Sequence, residues 1–179
     1  MRIIAGKYRG LNLAEFKGAE IRPTADRVKE SLFNILGPRV VGAEVLDLFC
    51  GSGNLGIECL SRGAKSVHFN DVSKESIAVF KKNAAKLSGK DKYTVTAYDF
   101  KRCLHMIEEF DIIFIDPPYA SNAGIEALKI ISHGDKLKFG GIAIYERDRA
   151  FEGEIQGLEM FDERKYGKTY LSFFTVEGY

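Results

Sequence analysis

Residues Ile112-Ile113-Phe114-Ile115-Asp116-Pro117-Pro118-Tyr119 form an apolar run that ends abruptly in an acid and two prolines. Four consecutive apolar residues predict a strand covered on both faces, as in a parallel sheet. Proline has no N–H for a ladder and pushes the residue before it into extended geometry, so the strand stops at Asp116 on a stiff, non-helical rim. In open α/β sheets ligands bind outside the carboxyl ends of the strands. There this rim offers the Asp116 carboxylate, the Pro117 and Pro118 carbonyls, and the Tyr119 ring. Two acceptors and an aromatic platform suit a flat group bearing an –NH2. Alone, the four residues read equally well as a turn with a surface Asp, so their surroundings decide.

Working outward, the chain alternates between strand and helix patterns. Residues 45–49 read as a strand. The turn Gly51-Ser52-Gly53-Asn54-Leu55-Gly56 opens a helix that runs to Gly63. Residues 67–69 form a second strand ending at Asn70-Asp71. Ser73 caps a helix carrying Ile77, Phe80, Ala84 and Leu87, which Gly89 stops. Residues 93–97 are a third strand ending near Asp99, and a short helix with Leu104 and Ile107 leads into the Asp116 strand. Ile125, Leu128 and Ile131 mark another helix, and Gly140-Gly141 turns into a strand at 142–145. Strands at 157–165 and 169–176 flank Tyr166-Gly167-Lys168. The amino end differs. Two short apolar runs around Gly6-Lys7-Tyr8-Arg9-Gly10 predict a β-hairpin, which is marginal in isolation and must lean on something. After it, Arg22-Pro23-Thr24 precedes a helix with Thr24 as N-cap and a core stripe of Val28, Leu32, Ile35 and Leu36; Arg27 and Lys29 lie off that stripe, and Gly37-Pro38 ends it. The expected fold is α/β: a doubly wound, Rossmann-like, seven-stranded, mostly parallel sheet with an antiparallel hairpin at its C-terminal edge and a small N-terminal hairpin extension. Residues 1–21 are expected to be that extension and its loop, and 22–179 the main domain.

Composition narrows the function classes. The chain has 179 residues, 45% hydrophobic and 28% charged, with a net charge of +1. That suits one soluble domain and argues against a protein that coats nucleic acid wholesale. Residues 1–40 nevertheless hold 8 Lys/Arg against 4 Asp/Glu, a weak sign of a polyanionic partner or simply a solvated charged end. No apolar run approaches a membrane span, and the start is charged too soon for a signal peptide. Cys50, Cys59 and Cys103 lack metal-ligand spacing and read as reduced thiols of a cytoplasmic protein; His68, His105 and His133 are scattered, and no metal is expected.

Gly51-x-Gly53-x-x-Gly56 after a strand, with Asp71 following, matches a dinucleotide fingerprint literally. Asp47 argues against a dinucleotide. It stands at the end of the first strand, where a pyrophosphate would lie, and like charges about 4 Å apart repel by about 1–4 kcal/mol between bulk water and a protein surface. A cationic ligand with a ribose fits better. S-adenosylmethionine would place its charged end near Asp47, its ribose hydroxyls at Asp71 and its adenine amino group at Asp99. Each acid taken singly reads as a turn or helix cap; three at the ends of successive strands beside a glycine turn do not.

The chain resembles class I methyltransferases and, more narrowly, the RsmD family of small-subunit ribosomal RNA guanine-N2 methyltransferases. The resemblance rests on residues 1–10, on Arg22-Pro23-Thr24-Ala25-Asp26-Arg27-Val28, on Leu46-Asp47-Leu48-Phe49-Cys50-Gly51-Ser52-Gly53, on Asp116-Pro117-Pro118-Tyr119, and on Lys165-Tyr166-Gly167-Lys168-Thr169. Cys50 stands where a small Ala is usual, and Asn70-Asp71 where Val-Glu is common. The resemblance implies a monomer acting on a guanine of 16S-type RNA in the small subunit or an assembly intermediate. It implies Asp116, Pro117, Pro118 and Tyr119 as catalytic residues. Asp47, Phe49, Cys50, Gly51, Gly53, Asp71, Asp99 and Phe100 are the cofactor candidates. Arg2, Lys7, Tyr8, Arg9, Arg22, Thr24 and Arg27 are the RNA candidates. The alternatives keep the fold and change the acceptor (adenine N6 in DNA, or a protein amide), change the chemistry (an NAD(P)-dependent oxidoreductase, against which Asp47 and the lack of a His or Tyr-Lys arrangement speak), or drop catalysis for an RNA-binding module.

Overall fold

A computed structural model describes residues 1–16, 23–118 and 121–178. The core is one seven-stranded sheet in the order β3-β2-β1-β4-β5-β7-β6. Its strands are β1 Glu44–Asp47, β2 Ser66–Asn70, β3 Tyr93–Thr96, β4 Phe110–Ile115, β5 Leu137–Arg147, β6 Leu158–Tyr166 and β7 Thr169–Val176. The helices are α1 Pro23–Leu36, α2 Asn54–Ser61, α3 Lys74–Ala84, α4 Phe100–Met106 and α5 Ala123–His133. β1 to β5 run parallel, and β7 pairs antiparallel with both β5 and β6. The expected doubly wound sheet with its antiparallel edge hairpin is therefore present.

β4 sits at the centre because both its faces are apolar. Ile112 and Phe114 enter one core layer, with α1 and α2; Ile113 and Ile115 enter the other, with α4 and α5. The glycine turn is shaped by packing. A Cβ on Gly53 would lie 2.5 Å from Phe80, and one on Gly56 2.2 Å from Phe69, so both glycines let α2 close onto the sheet. Gly51 is different: its φ is +53°, and among the described residues a Cβ there would meet nothing nearer than Phe16, at 3.8 Å.

Three local expectations are corrected. β1 ends at Asp47, so Leu48 and Phe49 belong to the turn beyond it. α1 begins at Pro23, which places Thr24 in the first turn rather than at the cap; proline suits the first helical position because its missing N–H would be unsatisfied there anyway. Lys29 does not lie off the buried stripe: it is 2% exposed. Its ammonium donates to the Arg2 carbonyl at 2.6 Å and Asn54 Oδ1 at 2.8 Å, and pairs with Glu58 at 3.1 Å.

Glu58 is the other half of that anchor. It accepts from the Ile4 N–H at 2.9 Å, the Ala5 N–H at 3.0 Å and Arg62 Nε at 2.8 Å. The first residues form the expected hairpin, with Ile3 and Gly10 bonding across it, and this buried carboxylate is what the hairpin leans on. Ile3 and Leu13 join the core.

Candidate functional site

The carboxyl ends of the parallel strands make one rim, and the fold brings most of the candidate residues to it. Asp99 follows β3, Asp71 follows β2, Asp47 ends β1 and Asp116 follows β4. Asn70, buried at the end of β2, ties three strand ends together. Its amide donates to the Leu48 carbonyl at 3.2 Å and the Tyr98 carbonyl at 3.0 Å, and its Oδ1 accepts from Thr96 Oγ1 at 2.8 Å. Phe49 and Phe100 face each other with ring centroids 5.6 Å apart.

The acids of the rim differ in state. Asp47 is buried, and among the described residues only the Gly56 N–H bonds it, at 3.0 Å. Burial, partly offset by that bond and reinforced by Asp71, pushes its carboxyl up to about 7. Asp71 is engaged already: its oxygens accept from the Gly51 N–H at 2.9 Å and the Ser73 N–H at 2.8 Å. It holds the glycine turn in place, and each oxygen keeps a lone pair for a ligand hydroxyl. Asp99 caps α4, accepting from the Lys101 N–H at 3.0 Å.

Asp116 is open to solvent along the rim, yet protein surrounds it on its other sides. That enclosure, then the carboxylates of Glu146 and Asp47, hold its carboxyl well above the usual range. Beside it the Pro118 carbonyl accepts from both the N–H and the hydroxyl of Ser121, at 3.0 and 2.8 Å. Among the described residues the carbonyl left to serve with Asp116 is therefore that of Pro117. Tyr119 and Arg22 lie outside the described residues, as does the side chain of Thr24.

Residues 1–175 match the family described as "Conserved hypothetical protein 95". Ribosomal RNA small subunit methyltransferase D of Haemophilus influenzae is 37% identical over 153 residues, covering 83% of this chain and 79% of the relative. YlbH of Bacillus subtilis is 36% identical over 184 residues, covering 99% of this chain and 100% of the relative. The solved structure of yhhF from Escherichia coli superposes with a TM-score of 0.86 at 28% identity, covering 100% of this chain and 99% of that one. The chain belongs to the RsmD family.

In this RsmD-family chain the RNA candidates of the hairpin tip, Lys7, Tyr8 and Arg9, are not at the rim. α2 runs from the rim back towards the amino ends of the strands, and the Lys7 N–H bonds the carbonyl of its last residue, Ser61. Lys7 and the Tyr8 hydroxyl both bind Asp91, just before β3. The hairpin tip therefore lies at the opposite end of the sheet from Asp116, with Lys7 and Tyr8 held internally, while Arg2, Arg9 and Arg27 are exposed. Sequence reasoning missed Glu146, which flanks Asp116 from the end of β5. The available signal was its position directly after the buried run 142–145. Among the described residues no cluster of His, Cys, Asp and Glu could hold a metal ion, and no helix is long and apolar enough to cross a membrane.

Proposed function

We propose that this chain transfers a methyl group from S-adenosylmethionine to the exocyclic N2 of a guanine in small-subunit ribosomal RNA. The reading is carried by the meeting, on one rim, of the Asp116-Pro117-Pro118 corner with the acids and glycine turn of β1 to β3. The names of its relatives support the RNA substrate, and the donor set fits the cofactor. A buried carboxylate at Asp47 with one hydrogen bond favours a cationic ligand, Asp71 keeps lone pairs for ribose hydroxyls, and Gly51 leaves its approach open.

S-adenosylmethionine supplies an electrophilic methyl group. The chain's own residues orient the amine. A guanine amino group is a poor nucleophile because its lone pair is delocalised into the ring. With one hydrogen accepted by Asp116 and the other by the Pro117 carbonyl, the lone pair is directed at the methyl carbon. Positioning of two bound reactants is the main source of rate. Asp116 offsets the positive charge that develops on nitrogen and accepts the departing proton. The target base must be unpaired or flipped to reach this corner, and Tyr119 supplies the stacking surface.

The test is Asp116→Ala, assayed with labelled cofactor on purified small subunits and, separately, on DNA and protein. We expect methylation of the ribosomal RNA at guanine N2 to fall at least a hundredfold, with cofactor affinity within about twofold of wild type. Near-normal turnover by the variant would remove the corner from the mechanism. Label entering DNA or protein instead of ribosomal RNA would move the acceptor.

A further inference from the structure

We propose that the loop after β5 and the β6–β7 turn form a phosphate-binding shelf, which grips the RNA backbone flanking the target base as it enters the Asp116 corner. The inference rests on the proposed function and adds a substrate-binding surface to it.

The first observation is the polarity of the rim. In the order β3-β2-β1-β4 the strand ends carry Asp99, Asp71, Asp47 and Asp116. Beyond β4 cations join the acids, Arg147 and Arg149 alternating with Glu146 and Asp148. Arg147 is the last residue of β5, and Arg149 follows it. Arg147 pairs with Tyr170 of β7, and Tyr166 with Thr169, so the turn Gly167-Lys168 is brought to the same end of the sheet. The rim thus carries acids at the ends of β3, β2, β1 and β4, and adds cations beyond β4, with Asp116 at the boundary.

The second observation is how charge is distributed along the C-terminal hairpin. Residues 146–149 and 164–168 hold five Lys/Arg and two acids, whereas residues 150–163, which lead away from the rim and back along β6, hold five acids and no Lys or Arg. A merely solvated hairpin would have no reason to gather its positive charge at the site end.

The third observation is that, Arg164 apart, these cations are in no ion pair among the described residues. Arg149, Lys165 and Lys168 are exposed and in no ion pair among the described residues; Lys165 lies over the Tyr170 ring, 5.2 Å from its centroid. Arg164 alone is neutralised, by Asp162 at 2.9 Å. Arg147 is more telling. Its guanidinium lies 5.2 Å from the Tyr145 ring centroid and 5.6 Å from that of Phe151, which fix its plane, and its Nε is buried without a hydrogen-bond partner among the described residues. A buried orphan donor is costly unless something else satisfies it. Arg147 and Arg149 line one depression with Pro117, Pro118, Tyr145, Glu146 and Asp148, so a phosphate gripped by the two guanidinium groups on the solvent side of these acids adjoins the Asp116 corner. A planar, pre-oriented guanidinium suits bidentate binding of a phosphate. By contrast, Lys7 on the N-terminal hairpin is already paired with Asp91.

The test is the double variant Arg149→Gln/Lys168→Gln of the full chain, with small-subunit RNA as substrate and S-adenosylhomocysteine as cofactor probe. We expect KM for the RNA to rise about tenfold, kcat to stay within twofold, and S-adenosylhomocysteine affinity and Tm to be unchanged. The slope of log KM against log salt should shrink by about 1.5, since each of the two lost phosphate contacts removes roughly 0.7–0.9. The charge-preserving pair Arg149→Lys/Lys168→Arg should restore KM and slope. If the wild-type chain methylates ribosomal RNA and the Gln pair matches it in KM and slope, the shelf is refuted while the function stands. If the wild-type chain does not methylate ribosomal RNA at all, the functional reading fails and the shelf falls with it.

Discussion

At the scale of the residue, Asp47 shows how a fold prepares a site for a charge it does not itself supply. Its carboxylate has been taken out of water and given one N–H, from Gly56, so the proton is retained up to about pH 7. A folded-state value above the ordinary one means that the folded chain holds more protons than the unfolded chain between about pH 4 and 7. Stability from this group is therefore full below pH 4 and declines as pH rises through 7. A cation bound beside it reverses the preference and favours the carboxylate. S-adenosylmethionine affinity should accordingly rise from pH 5.5 to about 7.5 and then level off, with proton release on binding at the lower pH. Asp47→Asn should flatten this profile and bind more weakly throughout. The same substitution should also remove a downward slope of Tm between pH 5 and 8. Isothermal titration in two buffers of different ionisation enthalpy, with thermal melts of both proteins, reads both effects; an affinity profile unchanged by Asp47→Asn would detach this acid from the cofactor. Comparison with the variant isolates Asp47 from His68, whose burial lowers its pKa and works in the opposite sense in the same window.

At the scale of the element, what was legible depended on whether the cause was local. β4, the glycine turn and the Ser73 cap follow from rules that span a few residues, and they stand where the periodicity puts them. Lys29 did not, because a lysine within a helix reads as surface. Its reason for burial is a carboxylate 29 positions away on α2, together with a carbonyl of the hairpin. Glu146 and the basic shelf were illegible for a related reason: β7 inserts antiparallel between β5 and β6, and nothing in the local pattern tells which strands become neighbours. The Lys29–Glu58 anchor makes a measurable claim. Burial alone would raise the Glu58 pKa, but the Ile4 N–H, Lys29 and Arg62 outweigh it and hold the group below the ordinary value. Its contribution is therefore present above about pH 4.5 and lost on acidification. Glu58→Ala strands the buried Lys29 and two hairpin N–H groups, and should cost about 3–5 kcal/mol. Urea denaturation at pH 7 measures the loss, and hydrogen exchange should show Ile4 and Ala5 exposed first. A cost below about 1 kcal/mol would place the pair among ordinary surface ion pairs.

At the scale of the whole molecule, a net charge of +1 leaves no global field to draw in RNA, so attraction has to come from local surfaces. Two such surfaces stand at opposite ends of the sheet: the shelf beside Asp116, and the hairpin tip carrying Arg9. The six residues of β4 separate these ends by about 20 Å at 3.3 Å per residue. A short RNA limited to the nucleotides flanking the target can touch the shelf but cannot also reach the tip, whereas an assembled subunit can cover both. Arg9 is exposed, and reversing it leaves the Lys7–Asp91 pair intact; Lys7→Glu would set two acids together and confound binding with stability. Arg9→Glu should therefore weaken binding to the small subunit about three- to tenfold while leaving a short target RNA unaffected. The shelf double variant should weaken both. Filter binding at two salt concentrations distinguishes the cases. If Arg9→Glu lowers affinity for the short RNA as well, the RNA must bend round the sheet edge to reach the tip, and the two surfaces form one continuous track. If it affects neither RNA, the hairpin is a structural flap, and the Glu58 anchor serves only to hold it down.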